Sequence, residues 1–165
     1  MRDEAPRSRG RAWLLAISVA AITLVCDQLS KGMVRSELVP GERIDLPLGF
    51  ELARVSNRGI AFGLFDDGGA LLLLISGAAL AAVIAWFALD PERPGLWLAV
   101  GLLAGGALGN FIDRVRHDAV TDFLDPPLWP AFNLADVAIT LGAVALALVA
   151  LRPPPAKPQA AGAEP

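Results

Sequence analysis

The chain has 165 residues, of which 55% are hydrophobic and only 19% are charged, and its formal net charge is −3. A soluble core of this length cannot bury so much apolar surface, which excludes a soluble enzyme and a disordered chain. The lack of a basic excess argues against nucleic acid as a partner, while one cysteine and one histidine exclude a disulfide scaffold and a zinc site. The composition predicts a small membrane protein.

Four uncharged stretches define the predicted organisation, at residues 12–26, 68–89, 94–112 and 137–151. A helix needs about 20 residues to cross the bilayer hydrocarbon, so the second and third stretches cross unaided. The first and last are shorter and must draw in polar neighbours, namely Asp27 and Lys31 in the first and Asp136 in the last. We predict a single all-α domain over residues 1–165 with four transmembrane helices, at about 12–33, 68–89, 94–113 and 132–151.

The predicted orientation depends on four arginines that precede the first span. Basic residues next to the first helix usually stay in the cytoplasm, so both tails, residues 1–11 and 152–165, are predicted to be cytoplasmic. A cleaved signal peptide ending at Cys26 is the alternative for the first stretch. Leu24 and Val25 argue against it, because they stand where a cleavage site requires small residues, and three further spans follow.

Two segments then face the outside, residues 34–67 and 114–133. The first is long for a connection between spans, which is typical of a functional segment. It contains two extended candidates, Arg43–Leu48 and Phe50–Val55, and then the polar motif Asn57–Gly63, whose Asn57 could reach a substrate or a headgroup. We interpret the second segment as a shorter loop.

The strongest chemical signal is a repeated pattern in which an asparagine precedes an aspartate by three residues. It pairs Asn110 with Asp113 at the outer end of the third span and Asn133 with Asp136 at the start of the fourth. Residues three apart share one helix face, so each amide is expected to hydrogen-bond near its own aspartate. Two carboxylates at equal depth can share a proton, one acting as general base while the other polarises a carbonyl. The pattern predicts an aspartic peptidase dyad of Asp113 and Asp136.

A plainer interpretation treats these aspartates as interfacial residues, with Asp113 paired to Arg114 or Arg116. Asp27 and Lys31 are spaced four residues apart, and we interpret them as a neutralising ion pair inside the helix bundle. The glycines and alanines of the third span fit either tight helix packing or room for a substrate chain.

Taken together, the polar blocks resemble those of the bacterial lipoprotein signal peptidase family, also called signal peptidase II. They follow the family's order along the chain: Asp27–Lys31, Asn57–Gly63, Gly105–Arg114, Val120–Phe123 and Phe132–Asp136. The resemblance implies an aspartic endopeptidase of the bacterial inner membrane that needs neither metal nor organic cofactor. Such an enzyme removes the signal peptide from a prolipoprotein by cutting before a diacylglyceryl-modified cysteine.

The resemblance also implies roles for individual residues. It implies that Asp113 and Asp136 are catalytic, that Asp27 and Lys31 support the site, and that the substrate and dyad are surrounded by Asn57, Asn110, Arg114 and Asn133. It implies that residues 34–67 form a small extracytoplasmic β-sheet that cradles the substrate between helices 1 and 2. The active site would lie near the outer leaflet of the lipid membrane, in a protein expected to be a monomer and a target of the cyclic peptide globomycin.

Two other functions stay open on the residues alone. A four-helix transporter or channel subunit would use Asp27, Asp113 and Asp136 as a proton or cation relay. A relay requires carboxylates spread through the membrane depth, whereas Asp113 and Asp136 gather at one face. A non-catalytic membrane scaffold is the third possibility, but it leaves the repeated asparagine–aspartate pattern unexplained.

Overall fold

The computed structural model describes residues 9–58 and 68–152, and within these ranges the chain forms four α-helices and three short β-strands. The helices are α1 (Arg9–Glu37), α2 (Gly68–Leu89), α3 (Leu96–His117) and α4 (Leu134–Ala150). The strands are β1 (Arg43–Asp45), β2 (Glu51–Asn57) and β3 (Val120–Asp125). Most of the two predicted tails, and residues 59–63 of the polar motif, lie outside the described residues.

The helices have the apolar character that the composition predicts. By length and composition, α1 with 29 residues and α3 with 22 could each cross a membrane, while α4 and the Gly77–Leu89 part of α2 are shorter apolar helices. α1 continues through Asp27 and Lys31, as the prediction for a short apolar stretch requires. The arrangement of four spans with cytoplasmic termini stays a prediction.

α3 packs between α1 and α4, and glycines along it allow this close approach. A β-carbon at Gly105 would lie 2.6 Å from the carbonyl oxygen of Ala20 in α1, and one at Gly106 would lie 2.6 Å from that of Ala135 in α4. No real side chain tolerates such distances, so only glycine lets these backbones pack together. At these positions the small residues serve helix packing.

The three strands form one antiparallel sheet in the order β1-β2-β3. Only β1 and β2 come from the segment between α1 and α2, because β3 belongs to the segment between α3 and α4. The prediction of a sheet built entirely between helices 1 and 2, with residues 114–133 as a loop, is therefore corrected. Arg43 of β1 forms ion pairs with Glu51 of β2 and Asp125 of β3, which ties the three strands together.

Long-range pairing is the physical reason for this difference. β3 pairs with β2, a strand far away in the sequence, with Asp122 opposite Val55 and Val120 opposite Asn57. A small apolar cluster then fixes the sheet on the helices, since Phe123 of β3 packs with Val34 and Leu38 at the end of α1. The sheet therefore lies where α1 and α3 end and α4 begins.

Candidate active site

Lys31 lies at the centre of a buried polar cluster between α1 and α3. Its ammonium lies 2.9 Å from Oδ2 of Asp27 and 3.5 Å from Oδ2 of Asp113, and it donates a 2.9 Å hydrogen bond to Oδ1 of Asn110. The side chains of Lys31 and both aspartates are fully buried. Three acceptors match the three N–H groups of the ammonium, which is the condition for burying a lysine charge. The ion pair predicted between Asp27 and Lys31 is present.

Asp113 is surrounded by further donors. The Nε2 group of Gln28 donates to Oδ1 at 3.2 Å, and the backbone N–H of Thr121 donates to Oδ2 at 3.0 Å. The Nη1 group of Arg35 lies 3.4 Å from Oδ1 and donates to Oγ1 of Thr121 at 3.0 Å. The ion pairs of Asp113 are therefore made with α1, through Lys31 and Arg35, rather than with the arginines that follow it in sequence.

Asp27 connects this cluster to α4. Its Oδ1 accepts a 2.9 Å hydrogen bond from the backbone N–H of Ala135, in the first turn of α4. A carboxylate in this position is stabilised by the dipole of the helix whose N-terminus it contacts. Gly109 of α3 leaves the space for this contact, because a β-carbon there would collide with Oδ2 of Asp27. Asp27 thus joins three helices at one point.

Asp136 is fixed by a capping box at the start of α4. The side-chain oxygen of Asn133 accepts from the N–H of Asp136 at 3.0 Å, and Oδ2 of Asp136 accepts from the N–H of Asn133 at 3.2 Å. Oδ1 of Asp136 accepts a 2.8 Å hydrogen bond from Nδ2 of Asn110 on α3. The expectation that each asparagine contacts its own aspartate is confirmed for Asn133. Asn110 instead donates to the aspartate of the other pair.

Asp122 of β3 is a further carboxylate that contacts Asn133. It is 1% exposed, and it accepts hydrogen bonds from Nδ2 of Asn133 at 2.6 Å and from Nδ2 of Asn57 at 2.9 Å. Burial raises the pKa of the Asp122 carboxyl to about 6, against the opposing effect of the two amides, and the charge of Asp136 adds to the rise. Asn133 therefore holds both Asp122 and Asp136, the first with its side chain and the second with its backbone.

The eight residues predicted for the site do not all meet in this network. Seven of them belong to it: Asn57, Asn110, Asn133, Asp27, Lys31, Asp113 and Asp136. Arg114 is placed differently, because its Nη1 donates to the carbonyl of Asn110 in its own helix at 3.3 Å. Sequence reasoning did not assign a site role to Asp122, Gln28, Arg35 or Thr121. The Val120–Phe123 block contains Asp122 and Thr121, and the Asp27–Lys31 block contains Gln28.

A cavity of about 350 Å³ lies beside Asp136. Its walls are mostly apolar and come from α4 and the segment before it: Trp129, Phe132, Val137, Thr140 and Leu141. An apolar wall next to a half-buried carboxylate can hold an apolar group close to a polar one. Across residues 9–58 and 68–152, no group of three His, Cys, Asp or Glu side chains is placed to hold a metal ion.

Comparison with known proteins shows the family of the chain. The sequence model of a family described as signal peptidase (SPase) II matches residues 19–152. Lipoprotein signal peptidases of Pelotomaculum thermopropionicum and Moorella thermoacetica are 42% and 43% identical to the chain, covering 78% and 82% of it and 86% and 91% of their own lengths. A solved structure described as a bacterial membrane enzyme superposes with a TM-score of 0.76 at 28% identity, covering 84% of this chain and 94% of its own.

Proposed function

The chain belongs to the signal peptidase II family, whose members remove signal peptides from prolipoproteins, and on this premise we propose that Asp122 and Asp136 form its catalytic dyad. The observation that carries the proposal is the position of Asn133, which hydrogen-bonds one carboxylate with its side chain and the other with its backbone. This pair takes the place of the predicted pair of Asp113 and Asp136.

The electrostatic surroundings favour Asp122 over Asp113 as the partner of Asp136. A dyad needs one proton shared between two carboxyl groups. A cation close to either group stabilises its ionised form and therefore disfavours binding of that proton. Asp113 has Lys31 and Arg35 within 4 Å. Among the described residues, Asp122 and Asp136 form no ion pair, and amides of Asn57, Asn110 and Asn133 supply their hydrogen bonds.

The reaction then follows the general scheme for paired carboxyl groups. The ionised member of the dyad takes a proton from a water molecule, and the oxygen of that water attacks the scissile carbonyl carbon. The protonated member donates to the carbonyl oxygen, and the resulting diol collapses as a proton passes to the leaving nitrogen. In this scheme the pair shares one proton, which is assigned to neither carboxyl group alone. In this scheme Asn57, Asn110 and Asn133 fix the carboxyl groups, and Asp113, Lys31 and Asp27 position α3 and α4.

The membrane supplies the substrate in this proposal. A diacylglyceryl-modified cysteine is anchored by two acyl chains, which hold the adjacent peptide bond at the level of the interface. We place the dyad at the outer leaflet of the bacterial inner membrane, with four spans and both termini in the cytoplasm. The apolar cavity beside Asp136 would receive the lipidated end of the substrate.

A cleavage assay tests the dyad. Purified enzyme in liposomes is given a diacylglyceryl-modified prolipoprotein peptide, and products are followed by gel shift for the parent and for Asp122→Asn, Asp136→Asn and Asp113→Asn. We expect the first two variants to lose roughly 10³-fold or more in turnover while remaining folded. Asp113→Asn is expected to retain turnover per folded molecule, and an unlipidated peptide should not be cut.

The opposite result has a clear meaning. If Asp122→Asn cuts as well as the parent and folded Asp113→Asn does not cut, Asp113 is the partner of Asp136, as first predicted. Circular dichroism and size-exclusion chromatography on each variant separate a chemical defect from loss of the folded protein.

A further inference from the structure

We propose that the chain carries a second binding site, specific for a phosphate group and separate from the proposed dyad. It is a cavity of about 280 Å³ at the same end of the bundle, between the C-terminal ends of α1 and α3 and the strands β2 and β3. We call it the arginine cavity, and the residues that line it are Arg35, Pro40, Arg54, Val55, Ser56, His117, Ala119 and Thr121.

The two arginines are fixed in place by one nitrogen each. Nη1 of Arg54 donates to the carbonyl oxygens of Arg35 at 3.0 Å and Leu38 at 2.8 Å, at the end of α1. Nη1 of Arg35 donates to Oγ1 of Thr121 at 3.0 Å and faces Asp113. Both guanidinium groups are therefore oriented before any ligand arrives, which lowers the entropic cost of binding.

The remaining nitrogens of these arginines are available to a ligand. In the part of the chain that the structure describes, Nε and Nη2 of Arg35 and Arg54 form no hydrogen bond with the protein. Among the described side chains, Nε1 of Trp97 is the one polar atom that is buried and has no hydrogen-bond partner. The unpartnered nitrogens of Arg35 and Arg54 are therefore not buried. Two pre-oriented guanidinium groups thus present free N–H donors at one cavity.

The chemistry of the lining selects an acceptor-only anion. No aspartate or glutamate lines the cavity, and His117 and the hydroxyl of Ser56 add further possible donors. Phosphate oxygens accept from guanidinium groups in a paired geometry, with stronger hydrogen bonds than neutral groups form. A headgroup phosphodiester has two charged oxygens and two ester oxygens on one phosphorus, so a single group can accept hydrogen bonds from both arginines.

The position of the cavity indicates a lipid headgroup as the source of the phosphate. Pro40 in the lining follows Val39, whose side chain is 66% exposed, and Met33, two residues before Arg35 on α1, is 64% exposed. Exposed apolar side chains beside arginines are typical of a surface that rests on a bilayer, where headgroup phosphates lie at the level of the arginines. Inorganic phosphate shares the same chemistry, and the experiment below separates the two sources.

Native mass spectrometry of the full chain in detergent tests the site, with phosphatidylglycerol as the probe and diacylglycerol, which lacks the phosphate, as the comparison lipid. We expect the parent to retain phosphatidylglycerol and not diacylglycerol. Arg54→Gln should weaken retention about tenfold, which corresponds to about 1.4 kcal/mol. Arg116→Gln is the matched control, because Arg116 is exposed at the same end and does not line the cavity. It should change retention less than twofold.

A second variant protects the test against misfolding. Arg54 also satisfies carbonyls at the end of α1, so Ser56→Asp is used in parallel to place a negative charge at the cavity while leaving those hydrogen bonds intact. Loss of retention in both variants supports the site. Equal retention by the parent, Arg54→Gln and Ser56→Asp overturns it, as does an equal loss in Arg116→Gln. If millimolar inorganic phosphate releases the lipid, the free ion is a ligand of the site as well. If the chain binds inorganic phosphate but does not retain the lipid, the headgroup is rejected as the source.

Discussion

Two pairs of carboxylates lie at the same end of the helix bundle, and they are neutralised in different ways. Asp27 and Asp113 face Lys31 and Arg35, with nitrogen–oxygen distances from 2.9 to 3.5 Å. Asp122 and Asp136 receive side-chain hydrogen bonds from Asn57, Asn110 and Asn133. We call them the ion-paired aspartates and the amide-held aspartates.

The difference indicates a structural role for the ion-paired aspartates and a catalytic role for the amide-held aspartates. Fixed cations keep a carboxylate ionised and make it a permanent link between helices, which is costly to break once buried. Neutral amides hold a carboxylate in place without dictating its charge, so a proton can move on and off during a reaction. The ion-paired aspartates are therefore expected to control folding, and the amide-held aspartates to control turnover.

The largest expected effect on stability comes from breaking the ion-paired aspartates. Asp113→Asn leaves Lys31 and Arg35 with one buried negative charge too few, and we expect unfolding free energy to fall by about 3–5 kcal/mol. Thermal unfolding in detergent, followed by circular dichroism, measures the change. Asp118→Asn is the control, since Asp118 is exposed with a φ of 56°, a conformation that asparagine tolerates. Equal unfolding temperatures for the two variants would contradict the assignment of Asp113 to structure.

The pH dependence of stability distinguishes the amide-held aspartates. Because the pKa of Asp122 is raised to about 6, the folded chain keeps a proton that the unfolded chain has lost between about pH 4 and 6. Stability from this group therefore falls as pH rises through that window, by up to about 3 kcal/mol. The unfolding temperature of Asp122→Asn, relative to the parent, should rise from pH 4 to pH 7 and then level off. A difference that stays constant with pH argues that Asp122 is ionised throughout, and Asp45→Asn on β1 controls for loss of one exposed charge.

Replacing Asn133 should affect both stability and turnover, and two variants separate these effects. Asn133→Ala removes the N-cap of α4 and should cost about 1–2 kcal/mol of unfolding free energy. Asn133→Ser keeps a capping oxygen but loses the amide that donates to Asp122. We expect the serine variant to unfold close to the parent temperature and still turn over at least tenfold more slowly. Full activity in the serine variant would mean that Asn133 acts only as a cap.

The smallest expected effect concerns Asn57, at the exposed side of the amide-held aspartates. Its hydrogen bond lowers the pKa of Asp122, so Asn57→Ala should raise that pKa and move the alkaline decline of kcat/KM to higher pH. The unfolding free energy should change by less than about 1 kcal/mol. The pH profile of cleavage, measured for both enzymes on the same lipidated peptide, gives the comparison. A decline at the same pH in both would show that Asn57 does not control the proton of the dyad.

Local sequence patterns predicted the helical part of the molecule well. Apart from Pro94, Gly95 and Leu151, the apolar stretches lie within the four helices. The four-residue spacing of Asp27 and Lys31 correctly indicated an ion pair. The Asn-x-x-Asp unit of Asn133 and Asp136 became a capping box, a motif that depends only on nearby residues. These features could be predicted because each depends on contacts within one helix.

Features that depend on distant segments could not be obtained in the same way. Asn110 and Asp113 lie on one helix, yet Asn110 contacts Asp136 of α4 and Asp113 contacts Lys31 and Arg35 of α1. Asp122 stood in a segment interpreted as a loop, because its strand exists only through pairing with β2. Periodicity gives the face of an element, whereas the partner of that face is set by the packing of the whole chain.

The origin of β3 has a consequence for the time at which the enzyme becomes active during its synthesis. β2 emerges from the ribosome early, but its partner strand follows α2 and α3, and α4 comes later still. Both amide-held aspartates therefore belong to the last segments to be synthesised, whereas Asp27 and Lys31 are already present in α1. Under the proposed function, a nascent or truncated chain that ends before β3 lacks both catalytic aspartates and cannot cut a peptide bond. With the proposed dyad, the order of translation therefore delays activity until the start of α4 has been made.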